Sequence, residues 1–176
     1  MIRAPNHLGD VVMALPAIAA DGGDVLVVRW LAPLLEMADL PGRVIPFDRG
    51  YRGWRTAVSE LRAAGYRKGA LLTPSFSAAG LCRWGGVREL RGTATDGRGW
   101  LLSDPISREA LAGRHRINQF KLLLRQDCDG LARNHPLAPR SEDVAKWRGR
   151  LGGDSGPIVG LFPGSNAPAR RWPEDR

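Results

Sequence analysis

The chain has 176 residues, a net charge of +8 and 43% hydrophobic residues. That composition excludes wholesale disorder and fits one full domain with a sizeable core, plus the beginning of another. The longest apolar runs, such as Val25–Val28 and 122–124, are far too short to cross a bilayer, and the first residues lack the pattern of a signal peptide.

The two cysteines, Cys82 and Cys128, are far apart in sequence and form neither a disulfide framework nor a metal knot, which points to a reducing cytoplasm. The charge is uneven. Residues 1–42 carry two basic and five acidic groups, 43–68 seven and two, and 83–125 nine and four. A positive field over the middle of the chain suits nucleic acid, anionic lipid head groups or phosphorylated substrates. An Arg-rich solvated surface explains the same charge equally well.

Taken in order, Ile2–Ala4 reads as a brief first strand. A turn of Pro5, Asn6 and Gly9 follows, then a helix opened by Asp10 that buries Val11 or Val12, Leu15 and Ile18 at helical spacing. Pro16 lies inside that helix, where it removes a backbone bond near Val12, and Gly22-Gly23 ends the unit. Residues 24–29 form a continuous apolar run, the mark of a strand buried on both faces. A short helix over 31–38 and a strand over 43–46 come next.

Trp54, Val58, Leu61 and Ala64 recur at helical spacing, with Gly65 as the stop. Strands are expected over 69–73 and 87–90, a long loop over 91–104, and one helix over 108–126. Residues 134–139 look like a linker. Ser141 is placed to cap a helix ending near Gly152, and 157–162 read as one more buried strand before the turn Pro163-Gly164-Ser165-Asn166. Strands alternating with helices predict an α/β fold, a doubly wound, mostly parallel sheet. The division is residues 1–139 as one domain, with 140–176 as a linker helix and the start of a second.

Two stretches carry candidate chemistry. The first strand–loop–helix lacks both the dinucleotide glycines and the P-loop lysine, so it matches neither nucleotide pattern. It offers one carboxylate, Asp10, at a helix start beside Gly9. An aspartate there is also a favoured N-cap. The second stretch runs from Phe162 to Pro173, a turn followed by Arg170, Arg171 and Trp172. Its backbone amides and guanidinium groups suit a phosphate, and an ordinary exposed loop has the same composition.

Together, "RAPNHLGDVVMALPAI" and the later "GLFPGSNAPARRWP" resemble glycosyltransferase family 9, the ADP-heptose:lipopolysaccharide heptosyltransferases, and within it the heptosyltransferase II type. "TPSFSAAGLCRWGGV", "DGRGWLLSD" and "HRINQF" fall in the order that family has. The resemblance implies a GT-B architecture, two Rossmann-like domains facing each other, of which this chain is the acceptor half plus the first strand and loop of the donor half. It implies an inverting, metal-independent transfer of heptose from ADP-heptose, the donor substrate, to a phosphorylated lipopolysaccharide core, with no cofactor.

Asp10 is then the catalytic base, and Ser165, Arg170 and Arg171 meet the donor phosphates. Arg170 stands where the family usually has lysine, and His7 where it often has an aromatic residue. His7, Gly9, Ser75, Arg98, His115 and Arg116 are the acceptor-side candidates. The motifs for adenine and ribose are absent, so the chain is expected to be inactive alone. A cytoplasmic location is implied, with a peripheral contact at the inner membrane and no nucleic-acid partner. The alternatives are a GT-B enzyme using another nucleotide sugar, and a basic binding module for nucleic acid or anionic glycolipid.

Overall fold

The computed structural model describes the chain except residues 96, 129–133, 153–155, 157–158, 162–163 and 165–176. It divides into two compact units, Met1–Ala138 and Pro139–Arg176. The first unit is an α/β Rossmann-like sandwich. Its strands are β1 (Ile2–Arg3), β2 (Val25–Val28), β3 (Val44–Phe47), β4 (Lys68–Leu71), β5 (Glu89–Thr93) and β6 (Asp104–Ile106). They form one parallel sheet in the order β3-β2-β1-β4-β5-β6. The strand order reverses between β1 and β4, and open α/β sheets place their ligands at the carboxyl ends of the strands beside such a reversal.

The helices of this unit are α1 (Leu8–Asp21), α2 (Ala32–Glu36), α3 (Tyr51–Ala64), α4 (Phe76–Trp84), α5 (Arg108–Leu111) and α6 (Arg116–Leu123). They divide between the two faces of the sheet. On one face Val11, Leu15 and Ile18 of α1 pack with Leu35 of α2, Val25 and Val27 of β2, and Phe120 and Leu123 of α6. On the other, Val58 and Leu61 of α3 and Leu81 and Cys82 of α4 pack with Leu26, Leu71 and Leu90. β2 is buried at all four positions, as its continuous apolar run requires. β1 is only two residues long, yet it is central and pairs with both β2 and β4.

Several boundaries differ from the sequence reading, each for a local reason. Asp10 does not open α1; His7 precedes the first helical residue, Leu8, and Asp10 is the third residue of the first turn. The stretch 91–104 is not one loop. β5 runs on to Thr93, a 3₁₀ turn covers Arg98–Leu101, and β6 begins at Asp104. β6 contains Pro105, which an edge strand accommodates because one of its sides makes no ladder bonds.

The helix expected over 108–126 is two helices, α5 and α6. Between them Gly113 adopts φ +69°, a left-handed conformation that a helix interior excludes. In the second unit, α7 (Ser141–Arg150) has Arg140 rather than Ser141 at its N-cap, so Ser141 is the first helical residue. Of the strand expected over 157–162, residues 159–161 are described. They are irregular there, with Val159 and Leu161 exposed.

Candidate functional site

The loop after β1 crosses the carboxyl edge of the sheet at its reversal point. It is fixed by three side chains, two of them buried. Arg3, at the end of β1, is 3% exposed. Its Nη2 donates to Asn6 Oδ1 at 2.6 Å, its Nη1 donates to the Ala4 carbonyl, and its guanidinium lies 4.8 Å from the centre of the Phe47 ring. Asn6 Nδ2 then donates to Thr73 Oγ1, 3.4 Å away beyond β4. The β1 and β4 loops are thus tied across the crevice by a chain of polar contacts.

In the sequence, Arg3 is only part of a brief first strand. The signal for it was available, because a charge inside a short apolar strand must find partners in the interior. Burial, then the like charge of Arg49, pushes the Arg3 guanidinium down to about 10, so it stays charged at neutrality. Cys82 is buried on the same domain, and its thiol is pushed up to about 12 by loss of solvent. It is an unreactive core residue at neutral pH.

The tied loop delivers the start of α1 to the sheet edge. His7, Leu8 and Gly9 are exposed there, and nothing lies near the position a Gly9 Cβ would take. Asp10, in the first turn, has a side chain 24% exposed and pairs with Arg116 Nε at 3.2 Å. Arg116 opens α6, which packs against α1, so two residues 106 positions apart meet because their helices share a core. Arg116 is held from behind by Gln119 Oε1 at 3.0 Å and by the Phe120 ring, 5.0 Å from its guanidinium carbon. The helix N-terminus and Arg116 both complement the Asp10 charge. The result is a half-open carboxylate beside an oriented cation. A cavity of about 800 Å³ adjoins it, lined by Pro74, Thr93, Thr95, Arg108, Arg116 and Phe120 among others.

The other candidates separate. Ser75 is the N-cap of α4, accepting from the Ala78 amide and bonding Ser77 Oγ at 2.8 Å. His115 is the N-cap of α6, its Nδ1 accepting from the Ile117 amide at 3.4 Å. Arg98 does not face solvent as an acceptor contact would. It is fully buried, and its guanidinium donates to the carbonyls of Thr93 at 2.8 and 2.5 Å, Thr73 at 3.1 Å and Ser75 at 2.9 Å. The reason is geometric: three carbonyls at the ends of β4 and β5 converge, and a forked five-donor group bonds all of them at once. Arg98 therefore holds the loops and leaves Ser75 placed.

Ser165, Arg170 and Arg171 lie outside the described residues. No group of three or more His, Cys, Asp or Glu side chains suited to a metal ion occurs among the described residues, and no helix there is long and apolar enough to cross a membrane.

Two solved structures share this architecture. The ADP-heptose lipopolysaccharide heptosyltransferase II of E. coli superposes with a TM-score of 0.79 at 21% identity, over 98% of this chain and 56% of that one. A glycosyl transferase of family 9 from Veillonella parvula superposes with a TM-score of 0.72 at 16% identity, over 98% and 55%. The chain spans about half the length of each. No protein-family model and no curated protein sequence matches it. At these identities the likeness establishes the fold, and the chemistry has to be argued from the site.

Proposed function

We propose that this chain is the acceptor side of an inverting, metal-independent glycosyltransferase of family 9, one that transfers heptose from ADP-heptose to a phosphorylated lipopolysaccharide inner core. The observation that carries the reading is the Asp10–Arg116 pair: an accessible carboxylate, oriented by a cation and a helix start, at the reversal point of the sheet. The motifs at both ends of the chain and the two similar solved structures support it. Residues 1–139 form the acceptor domain in this reading, while 140–176 form the linker helix and the start of the nucleotide-sugar domain. Activity belongs to the two-domain protein, working in the cytoplasm at the inner face of the membrane.

Asp10 takes the proton of the acceptor hydroxyl as that oxygen attacks the anomeric carbon, and ADP departs from the opposite face. Its work is more orientation than basicity, because the hydroxyl becomes acidic only as the bond forms. Arg116 keeps the carboxylate aimed and brings positive charge to the acceptor side. Ser165, Arg170 and Arg171 offset the charge growing on the leaving diphosphate.

In the two-domain protein, Asp10→Ala lowers the transfer rate by about 10² to 10⁴, while stability changes by less than about 1 kcal/mol. Retained turnover with a large loss of stability would show that Asp10 serves only the helix.

A further inference from the structure

A second cavity, of about 440 Å³, opens at the carboxyl ends of β1, β2 and β3. Its polar lining includes Arg3, Asn6, Arg49 and Ser77, and its walls include Phe47 and Trp54. Arg3 is the unusual member. It is a buried cation, and among the described residues no carboxylate pairs with it; its partners are a carbonyl, an amide oxygen and an aromatic face. Its Nε is buried with no hydrogen-bond partner at all. An uncompensated charge in the interior is costly, and a buried donor left unused adds to that cost.

The acid nearest to hand does not remove the problem. Asp48 also lines the cavity, but both its oxygens are taken by Arg29, at 2.7 and 3.0 Å. The backbone adds further positive potential. The first turns of α3 and α4 both line this cavity, through Tyr51 and through Ser77 and Ala78; Ser75 caps the Ala78 amide of α4, whereas α3 has no side-chain cap on its first amides. Gly53 makes the arrangement possible, because a Cβ there would collide with the Asp48 carbonyl that closes this turn. Arg49, exposed at the rim, contributes a second cation.

We infer that this cavity binds an oxyanion, a carboxylate or a phosphate ester carried on a sugar-sized polyol, with Arg3 as its buried counter-charge and Phe47 and Trp54 against its ring. The uncapped start of α3, a buried guanidinium with no carboxylate partner among the described residues and an exposed guanidinium concentrate positive potential on one cavity. The volume fits a single six- or seven-carbon unit together with its charged group.

The test titrates the 176-residue chain with gluconate, glucose 6-phosphate and glucose, reading tryptophan fluorescence and the nitrogen–proton resonances of the Trp54 indole and the Arg3 Nε. At least one anionic probe should bind and shift both resonances, glucose should not, and the preferred probe distinguishes carboxylate from phosphate. Arg3→Met should weaken that binding about tenfold or more, and Arg3→Lys by less. Should Arg3→Met not fold, the two wild-type resonances decide the question. Glucose binding as well as the anions, unmoved Arg3 and Trp54 resonances, or wild-type affinity in a folded Arg3→Met would each overturn the inference. The assay uses neither donor nor turnover, so its failure is separate from any failure of the transferase reading.

Discussion

Arg3 and Arg98 are both buried guanidinium groups at the carboxyl edge of one sheet, and they differ in what surrounds them. Arg98, on the β4–β5 side, donates to the carbonyls of Thr73, Ser75 and Thr93 and locks the two strand ends together. Arg3, on the β1–β3 side, has an unused Nε and lines an open cavity. Burial alone does not separate structural from ligand-directed charge. The completeness of the hydrogen-bond set does, since a satisfied group has nothing left to offer a ligand.

Stability measurements can break this distinction. Arg98→Met strips a charged donor from three carbonyls, of which those of Thr93 and Ser75 keep an amide from Thr95 and Ala79, and should cost about 2 kcal/mol or more by chemical denaturation. The amino-terminal edge supplies a second saturated case, Asp24, which accepts from the Tyr66 hydroxyl and from Arg43. The Tyr66 hydroxyl, followed by the bonds from Arg43, holds the Asp24 carboxyl down to about 2. A lowered carboxylate stabilises the fold above its ordinary range and loses that contribution as pH falls through about 2. Tyr66→Phe should therefore cost about 1 kcal/mol at neutral pH, allowing for solvent screening, and progressively less as pH falls from the ordinary aspartate range toward 2. Equilibrium unfolding across pH 2 to 7 reads this out.

Arg3→Met should have the smallest effect, within about 1 kcal/mol of wild type in the absence of ligand. Relief of an unpaired buried charge offsets the two hydrogen bonds lost at the Ala4 carbonyl and Asn6. Equal costs for Arg3→Met and Arg98→Met would erase the contrast.

The same two arginines show what can be read from sequence. Elements built on local pattern were legible: the apolar run of β2, the helical spacing of α3, and the glycine stop at Gly65, which has φ +68°. The fold class followed from their alternation, and the strand–loop–helix that carries Asp10 does lie at the sheet edge, with Asp10 inside the first turn of α1 rather than at its opening. The role of Arg98 was not legible, because its partners, Thr73, Ser75 and Thr93, come from two separate strand ends that only the folded sheet brings together. Nor did the sequence indicate that Asp10 would meet Arg116, since that contact depends on α1 and α6 sharing one face. β6 escaped for a different reason: a three-residue edge strand with a central proline carries no periodic signal.

The shortness of β1 has a consequence for motion. Along it Ile2 and Ala4 donate to the Asp24 and Leu26 carbonyls, while Ala70 and Leu72 donate to those of Met1 and Arg3. Opening so small a seam releases Arg3, Asn6 and the approach to α1 in one step. Local unfolding and loss of the binding surface are then a single event. The hydrogen-exchange rates of the Ala4, Ala70 and Leu72 amides measure how often it happens.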